Sequence, residues 1–172
     1  MGRSAARRRS RSAVVGTPAI RFRLLAVGRL RTGPLKDLQA FYAGRIVPPA
    51  VIIELEERRR LPAPLLRRRE AELILGALSP GTPFVALDEH GVTWSSRTLA
   101  DRIADWRDRG MPEIAFAIGG AEGLGSAVLS QADVTLSLGP MTWPHLLVRT
   151  MLLEQLYRAQ QILTGHPYHR EH

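Results

Sequence analysis

Short apolar segments ending in Gly, Asp or Gly-Gly alternate with helical stretches along most of this chain, and that alternation narrows the fold more than any other feature. Arg21 to Val27 reads as a strand running into a turn at Gly28. Gly33-Pro34 then opens a helix with Leu35, Leu38, Phe41 and Tyr42 on one face, which Pro48-Pro49 ends. Ala50 to Leu55 forms a second strand and Glu56 to Arg60 a charged turn. Leu61 to Leu78 has helical spacing, with Leu65, Leu66, Leu73, Ile74 and Leu78 as core candidates. Pro83 to Asp88 is a third strand, turning at Glu89-His90-Gly91. Ser96 is expected to cap a helix carrying Leu99, Ile103 and Trp106, stopped by Gly110. Ile114 to Ile118 and Ala132 to Leu138 are further strands, and Pro144 starts a long helix that ends before Gly165. This pattern predicts an α/β fold, a mostly parallel sheet with helices on both faces.

At 172 residues and 45% hydrophobic composition, one domain with its own core is expected. No apolar run approaches the ~20 residues that cross a bilayer, and the Arg- and Ser-rich N-terminus lacks the apolar stretch of a secretory signal. With no cysteine, disulfides, thiolate catalysis and Cys-based zinc sites are excluded, which fits a cytoplasmic setting. The net charge is +8, but Arg3, Arg7, Arg8, Arg9 and Arg11 supply five of those charges. They lie in a polar, low-complexity segment, residues 1–20, expected to be a disordered basic arm before a domain spanning 21–172. Without them the excess is only +3. The runs Arg58-Arg59-Arg60 and Arg67-Arg68-Arg69 are expected to be solvated faces.

In open α/β sheets ligands bind beyond the carboxyl ends of the strands. Three such ends here carry unusual residues: Leu87-Asp88, the glycine segment Gly119 to Gly125, and Leu138 to His145. Glycines let a backbone approach a ligand and free its N–H groups, although the spacing is not that of a dinucleotide-binding loop. Leu138, Met141 and Trp143, interleaved with free backbone groups, offer what an adenine pocket needs, or equally an ordinary strand-to-helix connection. His166, His169 and His172 do not make a convincing metal site, with no cysteine to help and Pro167 between them, so no metal is expected. A Ser-His-Asp triad has no supporting loop signature.

Taken together, Leu24 to Gly28, Leu87-Asp88, Ile118 to Gly123, Met141-Thr142-Trp143-Pro144-His145, Tyr157-Arg158-Ala159 and the closing His166-Pro167-Tyr168-His169-Arg170 resemble the ribosomal large-subunit pseudouridine N3-methyltransferase family of the SPOUT class. The resemblance spans Arg21 to the C-terminus. It implies a parallel α/β sheet whose C-terminal segment forms a trefoil knot, and S-adenosylmethionine as cofactor. By matching motif, it implies cofactor contacts from Leu87, Gly119, Leu138, Gly139, Pro140, Met141, Thr142 and Trp143. It further implies a homodimer acting on large-subunit ribosomal RNA within the assembled ribosome. There the tail 166–172 of one subunit would complete the partner's active site, with Tyr168, His169 and Arg170 handling substrate or protons and His145 and Arg149 close by. Residues 1–20 and the Arg-rich stretch Ala43 to Leu61 depart from the family's pattern. Alternatives are another knotted RNA methyltransferase, a catalytically silent RNA-binding module, and a nucleotide-binding α/β protein of the flavodoxin type.

Overall fold

The computed structural model describes residues 19–166, so the expectations for the N-terminal arm and for Tyr168, His169 and Arg170 lie outside the described residues. Five strands and five helices alternate: β1 (Arg21–Val27), α1 (Pro34–Arg45), β2 (Val51–Leu55), α2 (Ala63–Gly76), β3 (Phe84–Thr93), α3 (Ser96–Asp108), β4 (Glu113–Ile118), α4 (Ser126–Gln131), β5 (Val134–Ser137) and α5 (His145–Thr164). The sheet has the order β2-β1-β4-β3-β5, and every pairing is parallel. Parallel strands need crossover connections, which place helices on both faces.

Side-chain alternation sorts the core into two layers. Phe22, Leu24 and Ala26 of β1 and Ile114, Phe116 and Ile118 of β4 pack with Ala43 of α1, Leu99 and Ile103 of α3, and Leu152, Leu153 and Leu156 of α5. Leu25 and Val27, with Ala115 and Ala117, point the other way, onto Ala71 and Ile74 of α2 and Val128 of α4. β4 is buried along its whole length. Burying a side chain of Leu or Phe size contributes about 1.5–3 kcal/mol, so these layers dominate the stability.

α5 packs against both α1 and α3 on the same face of the sheet. Yet it follows β5, an edge strand on the far side of β3. The segment joining them therefore crosses the β3–α3 connection at the carboxyl end of the sheet.

Three expectations need correction, and the face read on α1 is largely turned outward. The apolar face of α1 is not core: Leu35, Leu38 and Phe41 are exposed, and Gln39 and Ala43 are the buried positions. Periodicity identifies a face but not its surroundings. Leu65 of α2 is likewise exposed, because Glu70, Ala71 and Ile74 form the inward stripe. The helix cap is Ser95, whose side chain accepts from Thr98 N, not the adjacent Ser96. β3 does not stop at Asp88. It bulges between Leu87 and Val92 and resumes pairing with β5 at Leu136 and Ser137. Gly91 permits this, since a Cβ there would lie 2.6 Å from Thr135 O.

Candidate functional site

The bulge of β3 at Leu87 to Glu89 and the carboxyl ends of β4 and β5 converge on a cavity of about 610 Å³, within the range of small-molecule sites. Each wall owes its shape to local chemistry. β4 delivers Gly119, where a Cβ would sit 2.7–2.9 Å from the backbone of Gly123 and Leu124. Only glycine lets the loop fold back that tightly. Gly123 N donates to Gly120 O at 3.1 Å, closing the turn, and buried Leu124 pins it to the α2–α4 layer.

The second wall follows β5. Ser137 Oγ donates to Gly139 O at 2.8 Å and accepts from Gly139 N at 3.2 Å, with Gly139 at φ +123°, where a side chain would be strained. Met141, Thr142 and Trp143 continue around the cavity. Thr142 Oγ1 donates to Glu89 Oε2 at 2.7 Å, tying this loop to the bulge of β3. Met141, 66% exposed, and Trp143, 37% exposed, present apolar surface at the cavity.

The floor is the start of α5. His145 lines the cavity, half-buried. Burial, and then the positive charge of Arg149, hold its imidazole below the ordinary pKa of 6.5, so it is neutral at neutral pH. One turn on, Arg149 is fully buried and does not line the cavity. Its Nη2 donates to Val27 O at 2.6 Å and Gly28 O at 2.8 Å, and its Nη1 to Glu54 Oε1 at 3.1 Å. Glu54 Oε1 also accepts from Leu30 N at 2.8 Å. Arg149 thus fastens α5 to the ends of β1 and β2. Gly28, at φ +92°, presents its Cβ position 3.7 Å from His145 Nε2, so the β1–α1 loop abuts the cavity floor.

Of the residues singled out from sequence, Leu87, Gly119, Leu138, Gly139, Met141, Thr142, Trp143 and His145 come together around this one cavity. Pro140, exposed between two lining residues, is not in its wall, and Arg149 is behind the floor. Sequence reasoning names neither Glu54 nor Glu70. Glu70 of α2 is buried behind the glycine loop, its carboxylate oxygens 3.4 Å from the Cβ position of Gly120, and Oε2 has no partner. Burial, then the charge of Glu122, push its pKa up. A buried glutamate on a helix whose neighbours are arginines carries no sequence mark that separates it from a solvated one. Among the described residues no cluster of three or more His, Asp or Glu is placed to hold a metal, and no helix is long and apolar enough to cross a membrane.

The family described as "Predicted SPOUT methyltransferase" matches residues 20–169. The chain is 53% identical over 151 residues to the ribosomal RNA large subunit methyltransferase H of Rhodospirillum centenum, covering 88% of this chain and 99% of that protein. It is 53% identical over the same shares to the protein of that name from Paramagnetospirillum magneticum. Two solved structures share the fold at low identity. A probable methylase family protein from Haemophilus influenzae has a TM-score of 0.51 at 10% identity, covering 90% of this chain and 72% of that one. A probable methyltransferase from Bordetella pertussis has 0.51 at 14%, covering 83% and 96%. The chain belongs to the SPOUT methyltransferase family, among the ribosomal RNA large subunit methyltransferases H.

Proposed function

We propose that the cavity between β3, β4 and β5 is the S-adenosylmethionine site and that the enzyme methylates N3 of a pseudouridine in large-subunit ribosomal RNA. The observation that carries this reading is the cavity wall itself. The glycine loop, folded back so tightly that Gly119 has no room for a Cβ, faces an apolar wall of partly buried Leu138 and exposed Met141 and Trp143. Backbone N–H and C=O groups at the loop suit the polar edge of an adenine, and the apolar wall suits its faces. The rim carries Asp88, Glu89 and Glu122, an acidic setting that favours a cationic cofactor. When bound, S-adenosylmethionine supplies an activated methyl group.

The chain's own groups have two tasks, alignment of the base and removal of its N3 proton. His145, neutral and at the cavity floor, is able to accept a proton or a hydrogen bond. Arg149 acts through others, fixing His145 and the β1–α1 loop, and does not touch the base. Tyr168, His169 and Arg170 complete the site from a partner subunit. The length of α5 supports this assignment: its 20 residues span about 30 Å from the cavity floor to Gly165. Arg170, five residues further, reaches at most about 18 Å back, so the tail is better placed to serve another subunit's cavity. The exposed Leu35, Leu38 and Phe41 on α1, beside α5, give such a homodimer an apolar face to bury. A C-terminal knot, the segment after β5 threading through a loop of the chain before α5 packs against α1 and α3, is part of this reading. The domain begins at residue 21, after a basic arm, and the enzyme works in the cytoplasm, where ribosomes are.

The test is methylation of purified ribosomes, with the product nucleoside identified by mass spectrometry. Mixing a Gly119→Trp subunit with a subunit truncated after Gly165 should restore activity that neither homodimer has. Activity in the truncated homodimer would remove the tail from the mechanism, and a product other than N3-methylpseudouridine would change the target.

A further inference from the structure

Among the described residues arginines are numerous, and most have a local acidic or aromatic partner. Arg23 pairs with Glu113, Arg59 and Arg69 with Glu57, Arg97 with Asp101, Arg107 with Asp108, and Arg158 with Glu154. Arg45 and Arg102 lie over aromatic rings. Glu57 is held at a pKa of about 2, chiefly by its hydrogen bonds to Arg59, so that pair stays ionised and satisfied. Arg58 and Arg68 make only long, exposed contacts of 3.8 and 3.7 Å.

Those without an acidic or aromatic partner are not scattered evenly. Arg29 and Arg31 lie on the β1–α1 loop, Lys36 in the first turn of α1, Arg60 on the β2–α2 loop and Arg67 in the second turn of α2, and all five are exposed. Because every strand is parallel, these segments share the end of the sheet that holds the cavity. Among the described residues, only Arg21, opening β1, and Arg109, after α3, lie at the opposite end. Asp37, beside Lys36, is the one acidic residue on these segments without a cationic partner.

The patch is built onto the site. Leu30, between Arg29 and Arg31, is buried, and its N–H is held by Glu54, which the fully buried Arg149 holds in turn. The Cβ position of Gly28 lies 3.7 Å from His145 Nε2 of the cavity floor. On the α2 side, Arg67 O lies 3.1 Å from the Cβ position of Gly125, so the basic start of α2 packs against the glycine loop.

We infer that the β1–α1 loop, the β2–α2 loop and the start of α2 form the surface that grips the ribosomal RNA backbone beside the target nucleotide, with Arg29, Arg31, Arg60 and Arg67 as its phosphate contacts. Phosphate is the partner such a surface fits: exposed, unpaired guanidiniums hold phosphate oxygens in a bidentate fork and release counterions on doing so. The charges divide accordingly, an acidic rim where the cationic cofactor enters and a basic flank where the polyanion lies. This assignment rests on the reading of the substrate as RNA.

The test compares R29Q/R31Q/R60Q/R67Q with R21Q/R109Q, the second removing unpaired charge from the far end. Ribosome binding is measured across a salt series, with S-adenosylmethionine binding by calorimetry and methyl transfer alongside. Removing one phosphate-binding arginine should lower the salt slope by roughly one, so the fourfold variant should lose a slope of about 3 to 4. Its ribosome affinity should fall about a hundredfold in low salt, and its cofactor affinity should match wild type. The far-end variant should behave as wild type. An unchanged slope in the fourfold variant, or an equal loss in the far-end variant, overturns the surface. Wild-type protein that binds ribosomes through this patch but transfers no methyl group overturns the reaction and leaves the surface standing.

Discussion

The two halves of the molecule are made from the same strand–helix unit, yet their strands end in different chemistry. The bulge of β3 and the glycines, small turns and exposed apolar side chains that follow β4 and β5 curl around a cavity. β1 and β2 end in loops studded with arginine, and the helix between them turns Leu35, Leu38 and Phe41 outward. Both sets of loops sit at the same end of one sheet, so the difference comes from loop chemistry and not from architecture. The second half is suited to enclosing a small molecule. In the reading proposed above, the first half contacts large partners, RNA through its loops and a second subunit through α1. Arg149, reaching from α5 to Val27 O, Gly28 O and Glu54, is the joint between the halves.

Breaking that joint should have the largest effect. Arg149→Met leaves two backbone carbonyls without their donor and the partly exposed Glu54 without its cation, and each buried acceptor left unsatisfied costs about 1–3 kcal/mol. A chemical denaturation series should show that loss, and Glu54→Gln added to Arg149→Met should recover part of it. Additive losses would mean the two residues are not coupled.

Next in size is His145. His145→Gln should reduce kcat about a hundredfold, the low end for a general base, with cofactor affinity preserved. Its lowered pKa also fixes a stability trend. As pH falls, the unfolded chain takes up the proton near 6.5 while the folded site resists, so stability is lost from there downward until the folded pKa is passed. His145→Gln should flatten that part of the pH–stability curve.

Leu38→Glu with Phe41→Glu tests whether the outward face of α1 is a subunit interface. The pair should convert dimer to monomer in analytical ultracentrifugation and abolish methyl transfer, while cofactor binding persists within tenfold. A monomer that still methylates would place the whole reaction within one chain.

The smallest effect is expected at Glu70. Its folded pKa is raised above the ordinary 4.5, so stability is present in full below 4.5 and lost as pH rises through the folded value. Glu70→Gln should therefore raise Tm at pH 8 by a few degrees at most, about 1 kcal/mol or less, and the gain should vanish near pH 4. A loss of Tm at pH 8 would show that the carboxylate has a stabilising partner.

The legibility of the sequence divides along the same line. β1, β3 and β4 are readable because strands buried on both faces are continuous apolar runs, and α5 because Pro144 and Gly165 bracket a long periodic stretch. α4 is not: six residues with Val128 alone buried give no periodicity to detect. The continuation of β3 is hidden because its bulge, Asp88 to Gly91, looks like a turn. The cavity wall is legible through its glycines and through the resemblance it carries. The supporting charges are not. Burial of Arg149 depends on contact with Val27, 122 positions away, and that of Glu70 on the distant glycine loop. Nor can the sequence separate paired from unpaired arginines within Arg58-Arg59-Arg60, where only geometry gives Arg59 to Glu57 and leaves Arg60 unpaired.

The most direct test of the central claim is calorimetric titration of S-adenosylmethionine into the wild-type protein and into Gly119→Trp, with folding of both checked by circular dichroism. Saturable binding by the wild type, weakened more than a hundredfold by a side chain placed where a Cβ already meets Gly123 at 2.7 Å, is the predicted result. Equal binding by both folded proteins would put the cofactor elsewhere and contradict the assignment of this cavity.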